Sequence, residues 1–224
     1  MSVVTVAIPV LDGGIRLAPV LDAVRAQDVN AEVELLVCDS GSTDGSVAVA
    51  RAHGARLLQI KREEFSHGGT RNLLMDHAAG EHVAFLTQDA RPASRGWLAA
   101  LLSGFAEVPD AGLAFGPYLA RPGASATTAR ELSQWFSSLA PDGGPRVDRL
   151  AVGEREAPAS TLLGARGFFT NANGCISKMA WRAVPFRDVP YAEDQQLAVD
   201  MLRAGYAKVF VPSAAVEHSH EYSA

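Results

Sequence analysis

Six side chains have the type and setting to do chemistry: Asp39, Arg71, Asp89, Glu193, Asp194 and His218. Asp39 closes an apolar run and opens the loop Asp-Ser-Gly-Ser-Thr-Asp-Gly-Ser. A carboxylate there can accept from a base N–H or from ribose hydroxyls, or it can close an Asx-turn or cap a helix. Asp44, three residues before the next helical stretch, reads as a cap. In Phe65-Ser-His-Gly-Gly-Thr-Arg-Asn72, Gly68 and Gly69 let backbone come close to a ligand, and Thr70 can cap a helix. Arg71 can clamp a phosphate or cover a base, or it can be a solvated surface charge. Asp89 follows Thr87-Gln88 after a buried strand. A strand-end carboxylate is a hard oxygen ligand suited to Mg²⁺ or Mn²⁺ bridging two phosphates. Glu193 and Asp194 open a helix, where acidic residues also complement the dipole, and a carboxylate beside a pocket can serve as general base. His218 and His220 flank Ser219 and offer imidazole as a metal co-ligand, or simply form a polar tail.

The elements that must position these groups follow from the hydrophobic pattern. Apolar, β-branched runs at 3–10, 33–38, 55–60, 82–87 and 111–115 read as buried strands. Helical spacing falls between them at 16–27, 47–53, 70–79 and 95–107. Such alternation predicts an α/β fold with a mostly parallel sheet and helices on both faces. In that architecture ligands sit at the carboxyl ends of the strands. Three polar clusters fall there, after Val10, at Asp39 and at Asp89. The second half reads differently. Residues 120–160, rich in Ala, Gly, Pro, Ser and Arg, read as a mobile loop with one short helix over 130–139. A Gly/Asn-rich stretch at 164–174, a helix over 193–204 and a strand over 208–211 follow.

Composition narrows the function class. The chain has 224 residues, 48% hydrophobic and 20% charged, which fits an ordered globular domain. The net charge of −5 argues against a nucleic-acid binder. Two cysteines, Cys38 and Cys175, make no disulfide framework and read as small core residues. The N-terminus lacks a basic n-region, and no run reaches the ~18 apolar residues of a membrane span. A cytoplasmic protein is expected, with peripheral contact at the inner face of the membrane left open.

Taken together, these stretches resemble family 2 glycosyltransferases. The segments that carry the resemblance stand in order along the chain. They are Val-Ala-Ile-Pro-Val at 6–10, Cys-Asp-Ser-Gly-Ser-Thr-Asp-Gly-Ser at 38–46 and Gly-Gly-Thr-Arg-Asn at 68–72. Phe-Leu-Thr-Gln-Asp-Ala at 85–90, Tyr-Ala-Glu-Asp-Gln-Gln at 191–196 and His-Ser-His-Glu-Tyr-Ser at 218–223 complete the set. The Phe-Ser-His-Gly-Gly-Thr-Arg-Asn and Thr-Gln-Asp-Ala versions look most like bacterial rhamnosyltransferases of polysaccharide assembly.

The resemblance implies a single GT-A catalytic domain over 1–224, with a nucleotide-binding half to about 116 and an acceptor-binding half from about 117. It implies an inverting transfer from a nucleotide-diphosphate sugar, dTDP-rhamnose or a UDP-sugar, to a glycan or lipid-linked glycan. Pro9, Val10, Asp39, Gly69, Arg71, Gln88 and Asp89 would meet the nucleotide sugar. Asp89 and His218 would hold Mg²⁺ or Mn²⁺. Asp194 would be the catalytic base, with Glu193 beside it. Thr87-Gln88-Asp89 lacks the first carboxylate of the family's metal motif, which raises the importance of His218. Gln195-Gln196-Leu-Ala-Val-Asp lacks the processive Gln-x-x-Arg-Trp motif, so single additions are expected. Family members often continue into a helical tail, so a truncated chain or a minimal enzyme is expected here. Two rival readings are a nucleotidyltransferase, faintly echoed by Leu11-Asp-Gly-Gly-Ile-Arg16, and a glycosyltransferase-like domain that binds nucleotide or glycan without turnover.

Overall fold

The computed structural model describes residues 2–156, 158 and 164–219; His220 therefore lies outside the described residues. The elements run in the order β1 (Val3–Val10), α1 (Gly14–Arg25), β2 (Glu32–Asp39), α2 (Ser46–Ala52), β3 (Arg56–Gln59), α3 (His67–His77), β4 (His82–Leu86), β5 (Arg91–Pro92) and α4 (Trp97–Glu107). The second half adds β6 (Ala111–Phe115), β7 (Tyr118–Leu119), α5 (Ala126–Leu139), β8 (Arg146–Asp148), β9 (Asn173–Ser177), α6 (Lys178–Ala183), α7 (Glu193–Arg203), β10 (Ala207–Phe210) and β11 (Val216–Glu217).

Eight strands form one sheet in the order β3-β2-β1-β4-β9-β6-β10-β8. The pairs β1–β2, β1–β4, β2–β3 and β6–β10 are parallel, and β9 and β8 enter antiparallel. Side chains alternate across the sheet, as strand geometry requires. Val4, Val6, Ile8 and Val10 of β1 pack with Leu17, Leu21 and Val24 of α1 and Trp97, Leu98 and Leu101 of α4. Ala7 faces the other way, with Leu74 and Met75 of α3, Phe136 of α5 and Leu197, Ala198 and Met201 of α7. The sheet is thus covered on both faces, and each face is an apolar layer. Truncating a fully buried member such as Leu21 to Ala would cost about 2–5 kcal/mol.

The second half departs from its sequence reading. The helix expected over 130–139 is present but longer: α5 has 14 residues and starts at Ala126. Ser125 caps it by accepting from the Thr128 N–H at 3.0 Å, and Phe136 and Leu139 anchor it in the core. The Gly/Asn-rich stretch runs into a central strand, β9, all of it buried. Gly174 is needed there, because a Cβ would stand 2.5 Å from the Thr170 carbonyl and 2.6 Å from the Phe169 ring. Helix α3 begins at His67 rather than at Thr70, so both glycines lie in its first turn.

The parallel register aligns the site. Val10 pairs with Asp39, and Ala7 pairs with Phe85, so the chain beyond β1 runs level with Gln88 and Asp89. Asn173, which opens β9, pairs with Leu86 at the end of β4. The antiparallel entry of β9 therefore delivers residues 170–172 to the same edge. Cys38 and Cys175 are both buried in the core.

Candidate active site

At this edge lies a cleft of about 250 Å³, lined by Pro9, Val10, Leu11, Ser40, Phe65, His67, Arg71, Thr87, Gln88 and Asp89. Five of the expected nucleotide-sugar residues line it: Pro9, Val10, Arg71, Gln88 and Asp89. Asp39 and Gly69 do not. Asp39 is 2% exposed, and its carboxylate accepts from the N–H groups of Gly41 and Ser42 at 3.2 Å, closing an Asx-turn. Ser40, which binds the Val10 carbonyl through both N–H and hydroxyl, presents that strand end to the cleft instead. The N–H of Gly69 donates to the Ser66 hydroxyl, the N-cap of α3. A Cβ on Gly68 would fall 2.2 Å from the Arg187 carbonyl. The glycine pair thus serves capping and close packing. Asp44 is likewise taken up locally: it accepts from Gly14 and from Ser46.

Gln88, the middle residue of Thr87-Gln88-Asp89, has a structural task. Its side chain bonds the backbone of Leu11 in both directions and ties the end of β1 to the end of β4.

The acidic pair divides its work. Helix α7 starts without a side-chain cap, after Ala192 in the left-handed region at φ 58. A non-glycine residue there is uncommon, and such strain gathers at functional sites. Glu193 is buried and faces Arg71, with 3.1 Å between Oε1 and Nη1, and it accepts from the Asn171 side chain at 3.2 Å. Arg71 is equally buried and also donates to the His67 carbonyl at 3.0 Å; its Nε has no partner among the described residues. Asp194 is held by two backbone N–H groups, those of Asn171 at 3.2 Å and Gln195 at 2.8 Å. Burial, then the charge of Glu193, pushes the Asp194 carboxyl above the ordinary carboxylate value.

Asp89 and His218 also meet, with 3.5 Å between Oδ1 and Nδ1. Burial pushes the Asp89 carboxyl up, but His218 and Arg121 outweigh it and hold it below the ordinary range. Arg121 was not anticipated from the sequence. Its Nη2 donates to the Asp89 carboxylate, to the Asp89 carbonyl at 2.9 Å and to His218 Nδ1 at 3.1 Å. Tyr118 was also missed. It packs edge-on against His218, hydrogen-bonds Thr170, and feels the charges of both Asp194 and Asp89, so it bridges the two carboxylate sites. Burial pushes its phenol up.

The protein supplies one oxygen and one nitrogen donor for a cation, and no group of three or more potential ligands occurs among the described residues. That fits Mg²⁺ or Mn²⁺, which commonly take one or two carboxylates and fill the rest with phosphate oxygens and water.

A mostly parallel sheet with helices on both faces, a cleft across its strand ends and carboxylates on its rim is the architecture of GT-A glycosyltransferases. The sequence pattern of glycosyl transferase family 2 matches residues 5–181, and the chain belongs to that family. It is 29% identical over 224 residues to the O-antigen chain rhamnosyltransferase RfbN of Salmonella typhimurium, covering 98% of this chain and 67% of that one. It is 28% identical to the O-antigen chain rhamnosyltransferase WbaN of Salmonella anatum, covering 88% of this chain and 60% of that one. The chain thus spans about two thirds or less of these relatives. Among solved structures, the mannosyltransferase PcManGT of Pyrobaculum calidifontis, in complex with GDP-Man and Mn²⁺, superposes with a TM-score of 0.71 at 21% identity, over 98% of this chain and 57% of that one. S. aureus TarS 1-349 in complex with UDP-GlcNAc gives 0.72 at 15% identity, over 100% of this chain and 60% of that one. These two likenesses establish the shared fold. No helix among the described residues is long and apolar enough to cross a membrane.

Proposed function

We propose that this chain transfers a single sugar, with inversion, from a nucleotide-diphosphate donor to a hydroxyl of a glycan or lipid-linked glycan. Asp194 is the general base in this reading. The observation that carries it is the division of the acidic pair: Glu193 is spent on Arg71, while Asp194 keeps a carboxylate bound only by N–H donors and made more basic by burial. A base whose pKa is raised toward the working pH transfers protons more effectively.

The cleft between Pro9 and Asp89 takes the nucleotide, with Arg71 and the turn closed by Asp39 fixing its position. Asp194 removes the acceptor proton, the oxygen attacks the anomeric carbon opposite the diphosphate, and the nucleoside diphosphate leaves. Asp89 and His218 would hold Mg²⁺ or Mn²⁺, which supplies Lewis-acid stabilisation of the leaving diphosphate. The acceptor approaches from the α5 side, where an apolar cleft of about 450 Å³ is lined by Tyr118, Leu119, Phe136 and Phe210. The two rhamnosyltransferase relatives support rhamnose as the sugar, and dTDP-rhamnose is the donor in this reading. A lipid-linked acceptor places the enzyme at the cytoplasmic face of a membrane.

Thermal melting with dTDP, UDP and GDP, each with and without Mn²⁺, tests the reading, since ligands that bind the native state raise its melting temperature. One nucleotide should stabilise the chain in a metal-dependent way. No shift with any of them, in folded protein, refutes nucleotide-sugar use.

A further inference from the structure

Arg121 stands where a cation shared by Asp89 and His218 would sit. Its Nη2 lies within hydrogen-bond reach of the Asp89 carboxylate, the Asp89 carbonyl and His218 Nδ1. A guanidinium can only donate, so it is the unprotonated form of His218 that accepts in that contact, through Nδ1. An unprotonated imidazole nitrogen has one lone pair. It cannot accept from Arg121 and ligate a metal at once, so a cation that binds through Nδ1 must first displace the arginine. Asp89 Oδ1, only 3.5 Å from that nitrogen, would be its companion donor.

We propose that Arg121 competes with the divalent cation for Asp89 and His218, and is released to the donor diphosphate when the cation binds. The inference rests on the reading of Asp89 and His218 as metal donors. Its physical basis is charge balance. The Arg121 side chain is 16% exposed, and a partly buried guanidinium stripped of its carboxylate needs another anion. The diphosphate is the anion that arrives at this site, and it accepts guanidinium donors well. Metal and donor binding are then coupled, each raising the affinity of the other by the same factor. With Thr87 where the motif has its first carboxylate, no second acid of the motif offsets the competition.

The test is a titration with Mn²⁺, followed by the electron-spin-resonance signal of the free ion, with and without dTDP. UDP and GDP are run in parallel. In the wild-type chain, Mn²⁺ alone should bind weakly and tighten about fivefold or more with the nucleotide, within the usual range of coupling between sites. Arg121→Gln should bind Mn²⁺ alone about fivefold more tightly than wild type, and the nucleotide should add less. Arg121→Lys, which keeps the charge without the fork, should fall between them. Asp89→Asn should lose the site. Equal Mn²⁺ affinity in wild type and Arg121→Gln overturns the proposal, as does wild-type Mn²⁺ binding that is indifferent to every nucleotide that binds. If Arg121→Gln does not fold, Arg121→Lys compared with wild type on Mn²⁺ alone decides, equal affinity overturning the proposal. If no nucleotide binds, the donor reading fails, while the comparison on Mn²⁺ alone still judges Arg121.

Discussion

Gln88 grips the backbone of Leu11 from both sides, accepting its N–H at 2.8 Å and donating to its carbonyl at 3.0 Å. The middle residue of Thr87-Gln88-Asp89 is thus a brace between two strand ends that line the nucleotide cleft. Only a side-chain amide both donates and accepts in this way. Gln88→Glu loses the donor and adds a charge beside a carbonyl. It should weaken nucleotide binding about tenfold, roughly the 1.4 kcal/mol expected for one orphaned polar group. Gln88→Asp, although it adds a second acid beside Asp89, should not increase metal-dependent turnover. Isothermal titration with the preferred nucleoside diphosphate checks the first outcome, and turnover against Mn²⁺ concentration checks the second.

The Glu193–Arg71 pair predicts a stability effect. Both side chains are 7% exposed, so removing one charge leaves the other buried and uncompensated. Breaking such a pair costs about 3–5 kcal/mol. Glu193→Gln should lower unfolding stability by that amount in urea titrations, while Asp194→Asn should not. Equal and small effects would mean that Glu193 is not the structural partner of the arginine.

The strand ends were legible in the sequence because they obey a local rule. An apolar run followed by an acid or a Gly-rich turn marks Asp39 and Asp89 without any knowledge of distant contacts. The acidic start of α7 was legible for the same reason. Arg121 and Tyr118 carried no such signal. They stand in a stretch whose local composition reads as loop, and they reach the site because Tyr118 and Leu119 of β7 pair with Val216 and Glu217 of β11 almost a hundred residues away. The N–H of His218 then bonds the Leu119 carbonyl at 2.9 Å, which aligns His218 with Arg121 over Asp89. Periodicity cannot reveal a two-residue pairing of that separation. Of the helix over 126–139 the last ten residues were legible, and the first turn was hidden because its anchors, Phe136 and Leu139, stand at the other end and the start is small and polar. Gly68 and Gly69 show the converse case: a local signal that suggested ligand contact is met by the cap of α3 and the backbone of Arg187.

Asn173 ties that long-range pairing to the sheet. It accepts from Trp97 Nε1 at 2.8 Å and donates to the carbonyls of Pro117 at 3.0 Å and Ala214 at 2.7 Å, fully buried. Those two carbonyls precede β7 and β11, the strands that deliver Arg121 and His218. Asn173→Ala leaves the Trp97 N–H and the Ala214 carbonyl unpaired, while the Pro117 carbonyl keeps the Val216 N–H, and should cost about 2 kcal/mol or more, at roughly 1–3 for each group. Asn173→Asp keeps the acceptor for Trp97 but loses both donors, so it should weaken Mn²⁺-supported nucleotide binding even where the fold survives. Denaturant unfolding and nucleotide titration of the two variants separate the effects.

Asp194 should show its role in two pH profiles of opposite sense. As the general base it must be ionised, so kcat should rise with pH through a limb whose midpoint lies above the ordinary carboxylate value of 3.8. Asp194→Asn should lose about 10²- to 10⁴-fold in kcat and retain nucleotide affinity; a variant that loses affinity while keeping kcat would remove Asp194 from the chemical step. For stability the sign reverses. The folded carboxyl has a raised pKa, so below 3.8 both folded and unfolded states are protonated and the fold carries no penalty. As pH rises from there through the folded pKa, the unfolded state ionises more readily and stability falls. Asp194→Asn removes that loss. It should therefore melt higher than wild type at neutral pH, with the difference vanishing in acid. The residue that drives turnover would then be one that the fold is more stable without, as expected where a buried base is held for its chemistry.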